Sequence, residues 1–134
     1  MPEPTLLILE PEPTASQGLA SRMRTESNYR VLTESNHEKV LDRLKKEAVD
    51  LLLCDLSLSQ MEGLDLLEQV REHHQHLPVL VYSQREQTDD RILAMQHGAT
   101  AYLTPPLDAR LLATAVESAL KELRLTTEVE KLKR

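Results

Sequence analysis

Apolar residues in this chain come in short unbroken runs, separated by stretches whose apolar positions recur at helical spacing. Thr5–Glu10 (TLLILE), Val49–Asp55 (VDLLLCD) and Leu77–Ser83 (LPVLVYS) carry almost no internal polar alternation. Runs of that length and composition predict strands buried on both faces. Tyr29–Ser35 (YRVLTES) and the stretch TAYLT, residues 100–104, predict two more. Between them the period changes. Thr14 with Gln17 forms a capping box ahead of Leu19, Ala20 and Met23, although Gly18 weakens that helix. Asn36 caps HEKVLDRLKKEA, whose Val40, Leu41, Leu44 and Ala48 make one apolar face. Leu64, Leu67 and Val70 share a side of the next helix. Thr88 caps and Gly98 terminates a fourth, TDDRILAMQHG, and Asp108 caps a long fifth.

The order is therefore strand–helix repeated five times with short connections. Consecutive strands separated by helices pair in parallel through right-handed crossovers, which predicts an α/β fold with a doubly wound five-stranded parallel sheet flanked by five helices. Sites in such sheets form at the carboxyl ends of the strands. After residue 124 the pattern changes: LTTEVEKLKR mixes charges of both signs and spaces Leu125, Val129 and Leu132 at i, i+4 and i+7. Residues 1–124 are thus expected to form one domain. Residues 125–134 are expected to be a helical linker or the start of a coiled coil toward a C-terminal effector.

Composition narrows the function classes. The chain has 134 residues, no Phe or Trp, and a formal charge of −6. Its core must be aliphatic, and its charge argues against a nucleic-acid or anionic-membrane binder. The start has no basic segment before its brief apolar run, so a signal peptide is not expected, and no apolar run is long enough to span a bilayer. Cys54 is the only cysteine and is expected to be a small buried hydrophobe in a reducing compartment, placing the protein in the cytoplasm. The run from His73 to His76 sits at a helix end, where polar and cationic groups suit the macrodipole better than the spacing suits a metal.

The predicted strand ends present Glu10, Pro11 and Glu12, then Asp55, then Ser83, Gln84 and Arg85, and finally Thr104, Pro105 and Pro106. Carboxylates and a hydroxyl on one edge are the equipment for receiving a phosphoryl group or holding a hard cation. LLILEPEP, DLLLCDLSLSQMEGLDLLEQVRE, LPVLVYSQ and AMQHGATAYLTPPLDARLL together resemble the receiver domain of two-component response regulators, over roughly residues 5–124. The resemblance implies a CheY-like, flavodoxin-like fold with strand order 2-1-3-4-5. It makes Asp55 the phosphoacceptor, Ser83 and Tyr102 the switch residues, and Glu10 with Asp55 the ligands of Mg²⁺. Ser59, Glu62 and Gly63 stand in the loop motif that follows the acceptor.

Two departures matter most. Pro11 stands where the family has its second metal-binding acid, and Pro105 stands where it has a lysine; Pro106 is the family's own proline. Gln84 also replaces a usually small residue, while Glu12 and Arg85 are the charges nearest in sequence that could compensate. The expectation is an atypical receiver and not an enzyme: an interaction module with a degenerate site and a doubtful Mg²⁺ site. Its expected partners are a histidine kinase or other signalling protein, a C-terminal effector, and a second copy through Thr88–Leu123, with neither nucleic acid nor membrane. The alternatives are a working phosphoacceptor switch at Asp55, or a stand-alone flavodoxin-like enzyme or cofactor binder, for which a glycine-rich phosphate loop is missing.

Overall fold

The computed structural model describes residues 3–9, 23, 28–55, 60–82, 90–103 and 109–132. The caps proposed at Thr14, Thr88 and Asp108, and all of the first predicted helix but Met23, lie outside these residues. The strands are β1 (Thr5–Leu9), β2 (Arg30–Glu34), β3 (Leu51–Asp55), β4 (Val79–Tyr82) and β5 (Ala101–Leu103). The described helices are α1 (His37–Lys46), α2 (Gln60–His73), α3 (Asp90–Gln96) and α4 (Ala109–Leu132). All pairings are parallel, and the sheet order is β2-β1-β3-β4-β5. This is the expected doubly wound topology.

The apolar runs are continuous because both sheet faces are covered. Leu7, Leu9, Leu52, Cys54, Val79 and Val81 point into a core shared with α1, α2 and α3. The alternate residues Leu6, Ile8, Leu51, Leu53, Leu80 and Tyr82 point into a second core under α4, joined by the fully buried, helical Met23. On α4, Leu112, Val116 and Ala119 form the buried stripe. On α2, Leu66 is as buried as Leu67 and Val70, a wider apolar face than the expected one-sided stripe, because α2 packs against the sheet and against α1 and α3.

Local signals act as the sequence suggests. The Asn36 side chain accepts a 2.9 Å hydrogen bond from the Lys39 N–H, capping α1. That helix stops at Lys46, however, so Ala48, expected on its apolar face, is exposed outside it. β3 begins at Leu51 rather than Val49. Asp50 is occupied otherwise: its backbone N–H donates to the Thr5 carbonyl at 2.8 Å and its carboxylate accepts from the Thr5 N–H at 2.7 Å. Both backbone polar groups of the first β1 residue are thereby satisfied, as burial requires.

α3 ends in a Schellman turn. Ala99 N–H donates to the Ala94 carbonyl (3.0 Å) and Gly98 N–H to that of Met95 (3.4 Å), with Gly98 at φ +113°. Arg71, half-buried at the end of α2, reaches across to this turn. Its Nε donates to the Gly98 carbonyl (2.8 Å), Nη1 to those of His74 (3.1 Å) and Leu77 (2.6 Å), and Nη2 to Thr100 Oγ1 (3.3 Å). Thr100 Oγ1 in turn accepts from the Val79 N–H at 3.0 Å. One guanidinium thus ties α2 to the segments that lead into β4 and β5.

A Cβ at position 98 would sit 2.5 Å from Arg71 Cγ, in a backbone conformation that L side chains rarely adopt. Gly98→Ala is expected to lower unfolding free energy by about 1–3 kcal/mol. Arg71→Ala is expected to lower it by about 1–3 kcal/mol through part-buried acceptors left unpaired, with Arg71→Lys failing to restore it. Urea denaturation checks both, and midpoints equal to the parent's would show that this brace carries no stability.

Candidate functional site

At the carboxyl edge the described residues converge at the ends of the central strands. Asp55, a residue 8% exposed, closes β3 as the one buried acid described, and pairs in register with Tyr82 at the end of β4. Leu9, the last residue of β1, pairs with Cys54, so in sequence Glu10 follows at the step where Asp55 follows Cys54. Pleating places Asp55 on the parity of Leu51 and Leu53, the face covered by α4. An acid there is held at the margin of an apolar core.

Tyr102 lies in the middle of β5, paired with Val81, and packs against the opposite core. Its half-buried ring has the Arg91 guanidinium carbon 5.6 Å from its centroid, a cation–π contact between α3 and β5. Asp55 and Tyr102 thus stand on opposite faces of the sheet with β4 between them. Ser83, Gln84 and Arg85, like Glu10, Pro11, Glu12, Ser59, Thr104, Pro105 and Pro106, lie outside the described residues. Glu62 and Gly63 fall in the first turn of α2.

Cys54, beside Asp55 in sequence, is buried in the core under α2. Burial, with a smaller contribution from the Asp55 charge, pushes its thiol from an ordinary 9.0 up to about 12. It is a packing residue without thiolate chemistry at neutral pH.

Sequence reasoning did not single out Arg71, Asp50 or Arg91. Asp50 acts on Thr5, 45 positions away, and Arg71 partly on Gly98 and Thr100, 27 and 29 positions away, and neither spacing nor propensity marks them. Arg91 had one signal, an arginine at the start of a helix whose following strand carries an aromatic.

A five-stranded sheet ordered 2-1-3-4-5, with a buried acid closing its central strand, defines the class of α/β proteins that bind or react at the carboxyl edge. The family model of the response regulator receiver domain matches residues 6–117, and the chain belongs to that family. It is a receiver domain of two-component signalling. The flavodoxin-like cofactor binder falls away with that finding.

Among relatives, the chain is 31% identical over 98 residues to the transcriptional regulatory protein ZraR of Klebsiella oxytoca, covering 73% of this chain and 22% of that protein. It is 29% identical over 130 residues to the nitrogen assimilation regulatory protein NtrX of Azorhizobium caulinodans, covering 96% of this chain and 28% of that one. The chain thus spans about a quarter of the length of these relatives. A solved CheY-like receiver domain protein from Methanospirillum hungatei superposes with a TM-score of 0.85, covering 93% of this chain and 99% of that chain at 21% identity, a likeness of fold. No described helix is long and apolar enough to cross a membrane.

Because its folded pKa is raised, Cys54 favours the folded state below pH 9, and this contribution is lost as pH climbs through about 12. Parent and Cys54→Ala should therefore converge in stability over that interval. At pH 9 iodoacetamide should modify the thiol only after denaturant is added. Rapid labelling of the folded chain would contradict the buried placement.

Proposed function

We propose that this receiver carries a degenerate phosphorylation site and works largely independently of phosphate, as an interaction and dimerisation module. The observation that carries the reading is chemical: a buried acceptor-position carboxylate, Asp55, accompanied in sequence by Pro105 where the family has its lysine and by Pro11 where it has a second acid. Phosphoryl transfer relies on positioning and on stabilising charge, so the missing ammonium removes a counter-charge at the transferring group. Mg²⁺, which receiver domains hold at this site, takes few protein ligands and keeps several waters. Asp55 and Glu10 are hard oxygen donors suited to it, but with Pro11 beside them they make a weak site.

Exposed Ile92 and Met95 on α3 and Leu111 on α4 supply apolar contact area within the Thr88–Leu123 region for a second copy or a signalling partner. The relatives named as regulatory proteins extend well beyond the matched part, which favours a C-terminal effector after residue 124. The module has no catalytic activity of its own in this reading, and it acts in the cytoplasm beside a histidine kinase or another signalling protein.

A second reading, a working phosphoacceptor switch, is favoured by one observation: Asp55 stands at the end of β3, at the carboxyl edge of the sheet. In it Asp55 takes the phosphoryl group and Ser83 and Tyr102 relay the change. With Mg²⁺ and beryllofluoride, the parent chain is expected to give no saturable amide shifts around Asp55. Restoring the family residues together, Pro11→Asp with Pro105→Lys, should raise adduct formation at least about 10-fold, and Asp55→Asn should abolish the gain. A saturable adduct in the parent at millimolar Mg²⁺, lost in Asp55→Asn, would establish the switch instead.

A further inference from the structure

The amino edge of the sheet carries a cation without an anion. Arg71 is half-buried, and every partner it has is neutral: the carbonyls of His74, Gln75, Leu77 and Gly98 and the hydroxyl of Thr100. No carboxylate among the described residues pairs with it, and burial is what lowers its pKa. Neutral oxygens offset only part of what a guanidinium loses on leaving water, so a charge held in this way still gains from a counter-ion.

Its hydrogen-bonding capacity is not spent either. Nη2 gives one N–H to Thr100 Oγ1 at 3.3 Å and has another with no acceptor among the described residues. Thr100 Oγ1 accepts from both Arg71 and the Val79 N–H, so its own hydrogen remains to be donated, again with no acceptor among those residues. These idle donors belong to side chains already in contact with each other. An N–H and an O–H side by side suit the paired oxygens of a carboxylate.

Arg71 and Thr100 line a cavity of about 220 Å³. Leu77 and the buried Pro78 and Ala119 give it apolar wall, and the exposed Glu122 of α4 lines it too. Pockets for drug-sized ligands run to roughly 300–1,000 Å³, so the occupant that fits here is a smaller molecule. Glu122 sets its charge. A simple anion meets that carboxylate as a like charge, whereas a molecule with a cation beside its own carboxylate meets an opposite charge at each end.

We propose that this cavity binds a free aliphatic α-amino acid of about leucine's size, with its carboxylate on Arg71 and Thr100, its ammonium toward Glu122 and its side chain against Leu77, Pro78 and Ala119. The ligand joins the end of α2, the entries to β4 and β5, and α4. It sits at the opposite ends of the strands from Asp55, so the site stands whether or not that residue takes phosphate. It gives the domain a chemical input that bypasses the carboxyl edge.

The test titrates the full 134-residue chain with L-leucine at pH 8 and follows amide shifts and melting temperature. Shifts centred on Leu77, Thr100 and Glu122 should saturate below about 20 mM, with a rise in melting temperature. 3-Methylbutylamine, which is leucine without its carboxylate, should bind at least about 10-fold more weakly. 4-Methylpentanoate, which lacks the ammonium, should bind at least about 3-fold more weakly, and that gap should close in Glu122→Gln, an exposed change that spares the fold. Arg71→Lys, checked for folding by circular dichroism, should weaken leucine at least about 10-fold. No saturable shift with leucine overturns the site, and shifts centred elsewhere overturn its place. Equal affinity for leucine and 4-methylpentanoate in the parent chain overturns the amino-acid class.

Discussion

A parallel sheet covered on both faces leaves no room for polar side chains along its central strands. β1, β3 and β4 are buried residue by residue, and each alternates between two cores. The hydrogen-bonding groups of the backbone are satisfied within the ladder, but every side chain in the interior must be apolar or pay its desolvation. Chemistry is thereby confined to strand ends. Thr5 and Asp55, the two buried polar residues described, lie at the opening of β1 and the close of β3. The position of Asp55 at the carboxyl edge follows from the same burial that makes its strand.

The two edges of the sheet are built differently. At the amino edge, polar groups are consumed in fixing geometry: Asp50 closes the start of β1, and Arg71 gathers the carbonyls of His74, Leu77 and Gly98 with the hydroxyl of Thr100. Burial lowers the Arg71 pKa, but a guanidinium remains charged at any pH the fold meets. A half-buried charge of this kind is tolerated because nearly all of its donors are matched, which makes the edge stiff as well as stable. The Arg43 guanidinium plays a lighter role at the outer strand, bonding Glu34 of β2 at 2.8 Å and Glu47 at 2.6 Å. Both pairs are partly exposed to solvent, which limits the energy they contribute.

Much of this was legible in the sequence, for a physical reason. Uninterrupted apolar runs read as two-sided strands and helical spacing between them as crossovers, so the doubly wound layout followed from local pattern, while the strand order followed from the family resemblance. Asn36 and Gly98 were readable because capping is local chemistry, decided within three or four residues. What was hidden is long-range. Arg71 has no neighbour in sequence that announces its role, Asp50 reads as part of the strand it precedes, and Leu66 is polar-face by period but buried by the helices on both sides of it. For the site, the acid that closes β3 was legible from the end of an apolar run. The pairing of Tyr102 with Arg91 was not, since nothing in a single strand shows which helix will cross it.

The geometry also bears on how such a domain would pass on a signal. A ligand shifts a conformational equilibrium only by its difference in affinity for the two states. Asp55 lies on the α4 face and Tyr102 on the α3 face, with β4 between them. In a receiver with a lysine at the edge, the incoming dianion gains a partner in one state and thereby biases it. On the reading proposed above, with Pro105 at the lysine's place in sequence the dianion has less to distinguish the states by, while Arg91 stacks on the Tyr102 ring. On the reading proposed here, the larger differential free energy is then available at α3, β5 and α4, where a partner buries apolar surface in one arrangement and not in another. The population would be set from outside the acceptor site, by contact.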